Sequence, residues 1–241
     1  MLKRLMILVV IATLPVLTHS QETIQGTLPD WSLGSGEVVS GLREPVVVGS
    51  VDEDGTFTIP LRSDFLATIK AQVEAEDPEK GGGWRSSLLT LRQVFSCYGE
   101  NIEVVNGGQP VTRMTSMGVF NVVNMAEKKR LGYMIATSSE DFAGGLMELG
   151  AFNFKKGYFV DWLYIEEAGS VKGRCTTESY AVNQEENYSR TTHYEISLQP
   201  GWNLIKYEIL DLFTDRDGKT YPMEERFVSL TEAPVDMKFI F

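Results

Sequence analysis

Turn-forming residues recur about every 8 to 15 positions beyond residue 21, and the runs between them are short and alternate apolar with polar side chains. No other feature constrains the fold as strongly. Such runs suit antiparallel strands packed face to face, whereas βαβ units need helical stretches between strands. The sequence therefore predicts a mainly β fold. It would be an antiparallel β-sandwich (Ig-like, transthyretin-like or jelly-roll-like), with one or two short helices near residues 63–95.

"ETIQGTL" (22–28) is the first expected strand. "PVVVGSV" (45–51) is β-branched, "DEDG" (52–55) makes a turn, and "TFTIPL" (56–61) alternates Phe57, Ile59 and Leu61 inward. "SDFLATIKAQVEAE" (63–76) is helical, with Phe65, Ile69 and Val73 on one face and Ser63 or Asp64 as cap. "DPEKGGG" (77–83) ends it as an exposed loop, and "SSLLTLRQVF" (86–95) reads as a second helix or a strand.

Beyond Cys97 four hairpins are expected. One turns at Asn106-Gly107 within 101–114, and one at "AEKK" (126–129). A third joins "GYFVDWLYI" (157–165) to "GSVKGRC" (169–175). The clearest spans 193–210, with Pro200-Gly201 in a type II turn. "AVNQEENYSRTT" (181–192) reads as a polar loop and carries the sequon Asn187-Tyr188-Ser189. "VDMKFIF" (235–241) closes the chain. It alternates up to a terminal aromatic as outer-membrane barrels do, but the chain lacks their long lipid-facing strands and aromatic girdles.

Lys3 and Arg4, the apolar run Leu5 to Val16, and the small residues Thr18 and Ser20 have the form of a cleaved secretory signal. Domains are accordingly expected at 1–20 (signal peptide), 21–80 (β-meander plus helix) and 81–241 (C-terminal β-sandwich, or one domain continuous with the preceding segment). The protein is expected to be secreted or periplasmic. No cysteine follows the apolar run, so no lipid anchor is expected there. The whole-chain charge is −11, and the first 20 residues hold two basic and no acidic residues, leaving −13 without them. That balance argues against nucleic acid and anionic membranes as partners. No later apolar run is long enough for a transmembrane helix. In an oxidising compartment Cys97 and Cys175 should form a disulfide worth about 4 kcal/mol.

Catalytic patterns are missing from the sequence. His193 is the one histidine after residue 20, and neither a G-x-S-x-G elbow nor an H-E-x-x-H pair occurs. Two Asp-x-Asp-Gly runs suggest calcium. With Gly55 sixth in an EF-hand frame, the twelfth residue is Leu61; with Gly218 sixth, Asp215, Asp217 and Glu224 fit but the first is Phe213. Both are read as hairpin turns. Asp211, Asp215, Asp217 and Glu224 remain the metal candidates, with Ca2+ the only cofactor considered. Trp84, after three glycines, is the candidate for stacking a ligand; Trp162 sits in an apolar run and is expected in the core.

"IQGTL" with "VVVGSVDEDGTFTIPL" resembles the entry segment of secreted bacterial β-sandwich modules of the carboxypeptidase-regulatory or transthyretin-like sort. "VKGRC" and "YEISLQPGWNLIKYEI" resemble the C-terminal half of uncharacterised secreted bacterial proteins with a Gly-x-Cys strand and a Gly-Trp-Asn hairpin. The resemblance implies a fold and a compartment and brings no catalytic residue. The expectation is a secreted, non-catalytic binding or structural module with a protein or glycan partner. The alternatives are a carbohydrate-binding or carbohydrate-active surface protein, and a calcium-dependent adhesion module.

Overall fold

The computed structural model describes residues 23–40, 45–75, 86–97, 102–116, 118–148 and 150–241. The expected signal peptide (1–20), the loop at 77–83 and Trp84 lie outside these residues. The described residues open with β1 (Thr23–Thr27), β2 (Gly36–Ser40), β3 (Val46–Val51) and β4 (Thr56–Pro60). Helices α1 (Phe65–Ala75) and α2 (Leu91–Val94) follow, then β5 (Ile102–Val105), β6 (Val111–Arg113), β7 (Val119–Asn124) and β8 (Lys129–Thr137). After α3 (Glu140–Met147) come β9 (Gly157–Ile165), β10 (Gly169–Tyr180), β11 (Asn187–Leu198) and β12 (Gly201–Thr214). β13 (Thr220–Leu230) and β14 (Lys238–Ile240) complete the described chain.

The fold is mainly β and sandwich-like, as the turn spacing predicts. Hydrogen-bonded neighbours run β1-β4-β3-β2-β7-β8-β9-β12-β13-β11-β10-β5, with β14 on β8 and β6 on β9. Strands β8 and β9 share one register pair, Thr137 with Phe159, so the sheet folds over there into two layers. The main core lies between the layers: Ile24, Phe57, Ile59, Val122 and Met134 from one meet Val160, Trp162 and Leu204 from the other. Trp162 is 1% exposed, in the core as expected.

Strand β9 does not alternate because it is buried on both faces. Tyr158, Val160 and Trp162 face the first layer. Leu163 and Ile165 face away from it, into a second core with Val171, Ile196, Leu198 and Ile205. Strand β10 is four strands from β9, about 20 Å across a flat sheet. That Leu163 shares one core cluster with side chains of β10 and β11 therefore has the C-terminal layer curl into a cup. Leu91 and Phe95 of the α2 segment plug one end of it. The disulfide Cys97–Cys175 ties that segment to β10, with Cα atoms 5.8 Å apart.

Several expected pairings are corrected. Strands β5 and β6 pair with β10 and β9 respectively, not with each other, although Asn106 does take a positive φ of 54°. The reason is α2: Leu91 N and Arg92 N donate to Gln109 O and Gly107 O, and the turn is used to hold the helix. Of the segment 86–95, read as a helix or a strand, Leu91–Val94 is helical, while Leu89 before it accepts from Val111 N. Strand β10 pairs with β11 and β5, not with β9. The polar loop expected at 181–192 is only a tight connection, since β10 and β11 pair in register from Gly169 with Leu198 to Tyr180 with Asn187.

The clearest expected hairpin, at 193–210, is split. Gly201 has the positive φ (98°) that a type II turn needs. Its strands, however, separate, and β13 lies between them, antiparallel to β12 and parallel to β11. Asn203 replaces the missing ladder at the turn: its amide group donates to Gln199 O (2.7 Å) and Gly201 O (3.0 Å) and accepts from Gln199 N (2.8 Å).

Candidate functional site

The split hairpin builds the site. Placing β13 between β11 and β12 aligns side chains from four strands on the inner face of the cup. One row runs Tyr194, Phe227, Tyr207, Phe159, each opposite the next in the strand register. Phe227 stacks on Tyr194 (centroids 5.7 Å, 9° between planes) and lies 5.0 Å from Tyr207, which is 5.0 Å from Phe159. The next row runs Cys175, Thr192, Glu225, Ile209. Arg190, opposite Thr177, stands one row further out.

Glu225 is 3% exposed. A buried carboxylate is costly unless its lone pairs are occupied, and here they are. Oε1 accepts from Thr192 Oγ1 (2.8 Å), Arg190 Nη2 (2.8 Å) and Arg190 Nε (3.2 Å). Oε2 accepts from Tyr207 Oη (2.7 Å) and again from Arg190 Nη2 (2.8 Å). Burial, together with the charge of Glu225 and its hydrogen bond, pushes the Tyr207 hydroxyl well above its ordinary value. Burial also raises Tyr188 and Tyr194. Burial pulls the Arg190 guanidinium down, but the charge and hydrogen bonds of Glu225 outweigh this and raise it.

Above this base opens a cavity of about 800 Å³. Tyr188 and Tyr221 form one wall and Phe152 and Phe154 another; Tyr180, 70% exposed, stands at the rim. Phe152 has φ +51°, an unusual backbone for a bulky side chain, and such strain gathers where geometry serves a function. It is held by Thr220 N donating to Phe152 O (2.8 Å), and its ring lies 5.4 Å from that of Tyr221.

The acidic candidates take separate partners. Asp211 pairs with Lys156 (2.7 Å), and Glu224 with His193 (2.8 Å) on the outer face of the sheet. Asp215 accepts from the backbone N–H groups of Asp217 (3.0 Å) and Lys219 (2.9 Å) and from Tyr221 Oη (2.9 Å). Burial works to raise its carboxyl, and these donors with the Lys219 charge bring it below the usual value. Asp217 is exposed. Among the described residues no three His, Cys, Asp or Glu side chains gather as a metal site. Asp215 instead anchors Tyr221, so the "DRDG" turn helps set the cavity wall. The "DEDG" turn is likewise structural: Asp54 caps Thr56 N (2.9 Å), and a Cβ on Gly55 would lie 2.7 Å from Trp31 Cβ.

Arg190, Thr192, Tyr207, Glu225 and Phe227 were not among the sequence candidates. Tyr188, Arg190, Thr192 and Tyr194 do alternate through the presumed loop, which is the signal of a strand with a wet inner face. Nothing in the sequence marks Glu225, whose neighbours are set by the split. Comparison of the chain with protein-family models, curated proteins and solved structures finds no match.

Proposed function

We propose that the protein is a secreted, non-catalytic binding module that holds a small molecule in its C-terminal cup. The observation that carries this reading is the aromatic cavity of about 800 Å³, a size suited to a drug-sized ligand, built over one structured polar base. Binding is favoured over catalysis because the base is chemically quiet. The oxygens of Glu225 are filled by donors, and burial pushes the Tyr207 hydroxyl well above its ordinary value, away from work as an acid. The disulfide and the signal-like residues 1–20 support an oxidising destination.

The test uses N-phenyl-1-naphthylamine, a neutral dye that brightens in apolar surroundings. Saturable binding of one dye per chain is expected. Thr177→Trp fills the cavity from β10 and should abolish binding while circular dichroism and Tm stay near those of the parent. No saturable binding, or equal binding by the filled variant, defeats the reading.

A further inference from the structure

Resting on that reading, we infer that the cup takes an uncharged apolar or aromatic molecule that presents a hydrogen-bond acceptor oxygen, such as a ketone, ester or amide carbonyl, to Nη1 of Arg190. Glu225 accepts from four donor groups on three side chains, as many as the lone pairs of a carboxylate serve, so it has no capacity for a ligand donor. The hydroxyls of Thr192 and Tyr207 are turned onto it. Tyr194 Oη donates to Ser96 O (2.9 Å), and Tyr221 Oη donates to Asp215. In the base of the cup Arg190 is the charged group that keeps a donor turned away from its partner; the hydroxyls of Thr177, Ser179, Tyr180 and Tyr188 also line the cavity. The Nε and Nη2 of Arg190 face Glu225, and because the guanidinium is planar Nη1 turns away from the carboxylate. The side chain lines the cavity and is 41% exposed, so Nη1 is within reach of a guest.

This pattern disfavours an anion. Arg190 is already neutralised by Glu225, and Arg113, which also lines the cavity, is paired with Asp161 at 2.7 Å. The charge of Glu225 contributes to raising Tyr207, Tyr188 and Tyr194, so a second negative charge there would be repelled. The whole chain, at −11, adds to that repulsion. Aromatic walls with an outward Arg190 donor are left, and they fit a neutral acceptor on an apolar body.

Three probes of one skeleton test this by displacing the naphthylamine dye: benzophenone (carbonyl acceptor), diphenylmethane (no acceptor) and 4-benzoylbenzoate (acceptor plus carboxylate). Benzophenone should bind about tenfold more tightly than diphenylmethane, the low end expected for a hydrogen bond to a charged donor, and more tightly than 4-benzoylbenzoate. Arg190→Met should remove the preference for benzophenone over diphenylmethane. If that variant fails to fold, irradiation of bound benzophenone in the parent protein decides: crosslinks must fall on β10, β11 and β13 residues of the cup. Equal binding of benzophenone and diphenylmethane overturns the inference. So do tightest binding of the benzoate, stronger displacement by maltohexaose, or no displacement by any probe while the dye itself still binds. In each of those cases the cup remains a binding site and only the ligand class is wrong. Loss of dye binding defeats the cup itself.

Discussion

Glu225→Gln probes the base of the cup most directly. The native carboxylate receives the Thr192 and Tyr207 hydroxyls and two nitrogens of Arg190. Glutamine keeps one acceptor oxygen and turns an NH2 group toward donors. At least one hydroxyl loses its partner, and a hydrogen bond to a charged group contributes about 1.5–3 kcal/mol. The ion pair adds less, because Arg190 is 41% exposed and water can replace its partner; about 0–1 kcal/mol is a fair allowance. The expected loss is therefore about 2–4 kcal/mol, or roughly 4–16 °C in Tm at about 2–4 °C per kcal/mol for a chain of this size. Urea unfolding followed by tryptophan fluorescence measures it. The arrangement also predicts an asymmetry. Glu225→Met should be worse than Glu225→Gln, since every donor is then orphaned. The triple variant Arg190→Met/Thr192→Val/Glu225→Met, which removes most of the donors with the acceptor, should recover much of the loss. A loss under about 0.5 kcal/mol for Glu225→Gln, or a triple no more stable than Glu225→Met, refutes the idea that this is a desolvated network.

Three further outcomes are expected. Replacing both Cys97 and Cys175 by Ala opens a crosslink spanning 78 residues of sequence and should lower stability by about 4 kcal/mol, seen as a lower urea midpoint; an unchanged midpoint contradicts it. The hydroxyls of Tyr158, Tyr194 and Tyr207 are all pushed up, burial being the largest cause in each. A raised folded-state value means their contribution is intact below the unfolded pKa of about 10 and is lost as pH climbs above it. Absorbance at 295 nm should thus show incomplete phenolate formation in the folded protein at about pH 11, with the remainder appearing on unfolding; full ionisation with native near-UV dichroism intact would contradict that. Asn203→Ala removes the side chain that closes the split turn and should cost about 1–2 kcal/mol in urea unfolding, far more than Gln199→Ala, whose backbone makes the contacts; equal costs would disprove the role of the side chain.

Much of the fold can be read in the sequence because the signals are local. The Gly55 and Gly218 turns, the α1 face with Phe65 and Ile69, and the doubly buried β9 all follow from neighbouring residues. The hairpin at 193–210 misleads for a physical reason. Pro200-Gly201 specifies a reversal of direction, but a reversal does not decide which strand lies alongside. Strand β13, from Thr220 onward, wins that place over the sequence neighbour. The cup was hidden by the same logic. Arg190 and Thr192 look like loop residues because the face they occupy is polar, and the network that justifies this comes from Glu225, 33 positions beyond Thr192. Asp211, Asp215, Asp217 and Glu224 drew attention by their density, yet the fold gives Asp211, Asp215 and Glu224 separate partners.

The split turn also has a consequence for synthesis. A nascent chain that has emerged only as far as Thr214 contains β11, β12 and a turn that invites them to pair, while the strand that belongs between them is still unmade. The local hairpin closes a short loop and forms quickly; the native arrangement must wait for β13 and then wedge it in, parallel to β11. Vectorial folding therefore favours the wrong partner first. In the finished fold Asn203 occupies Gln199 N and O, the backbone groups that would start the local ladder.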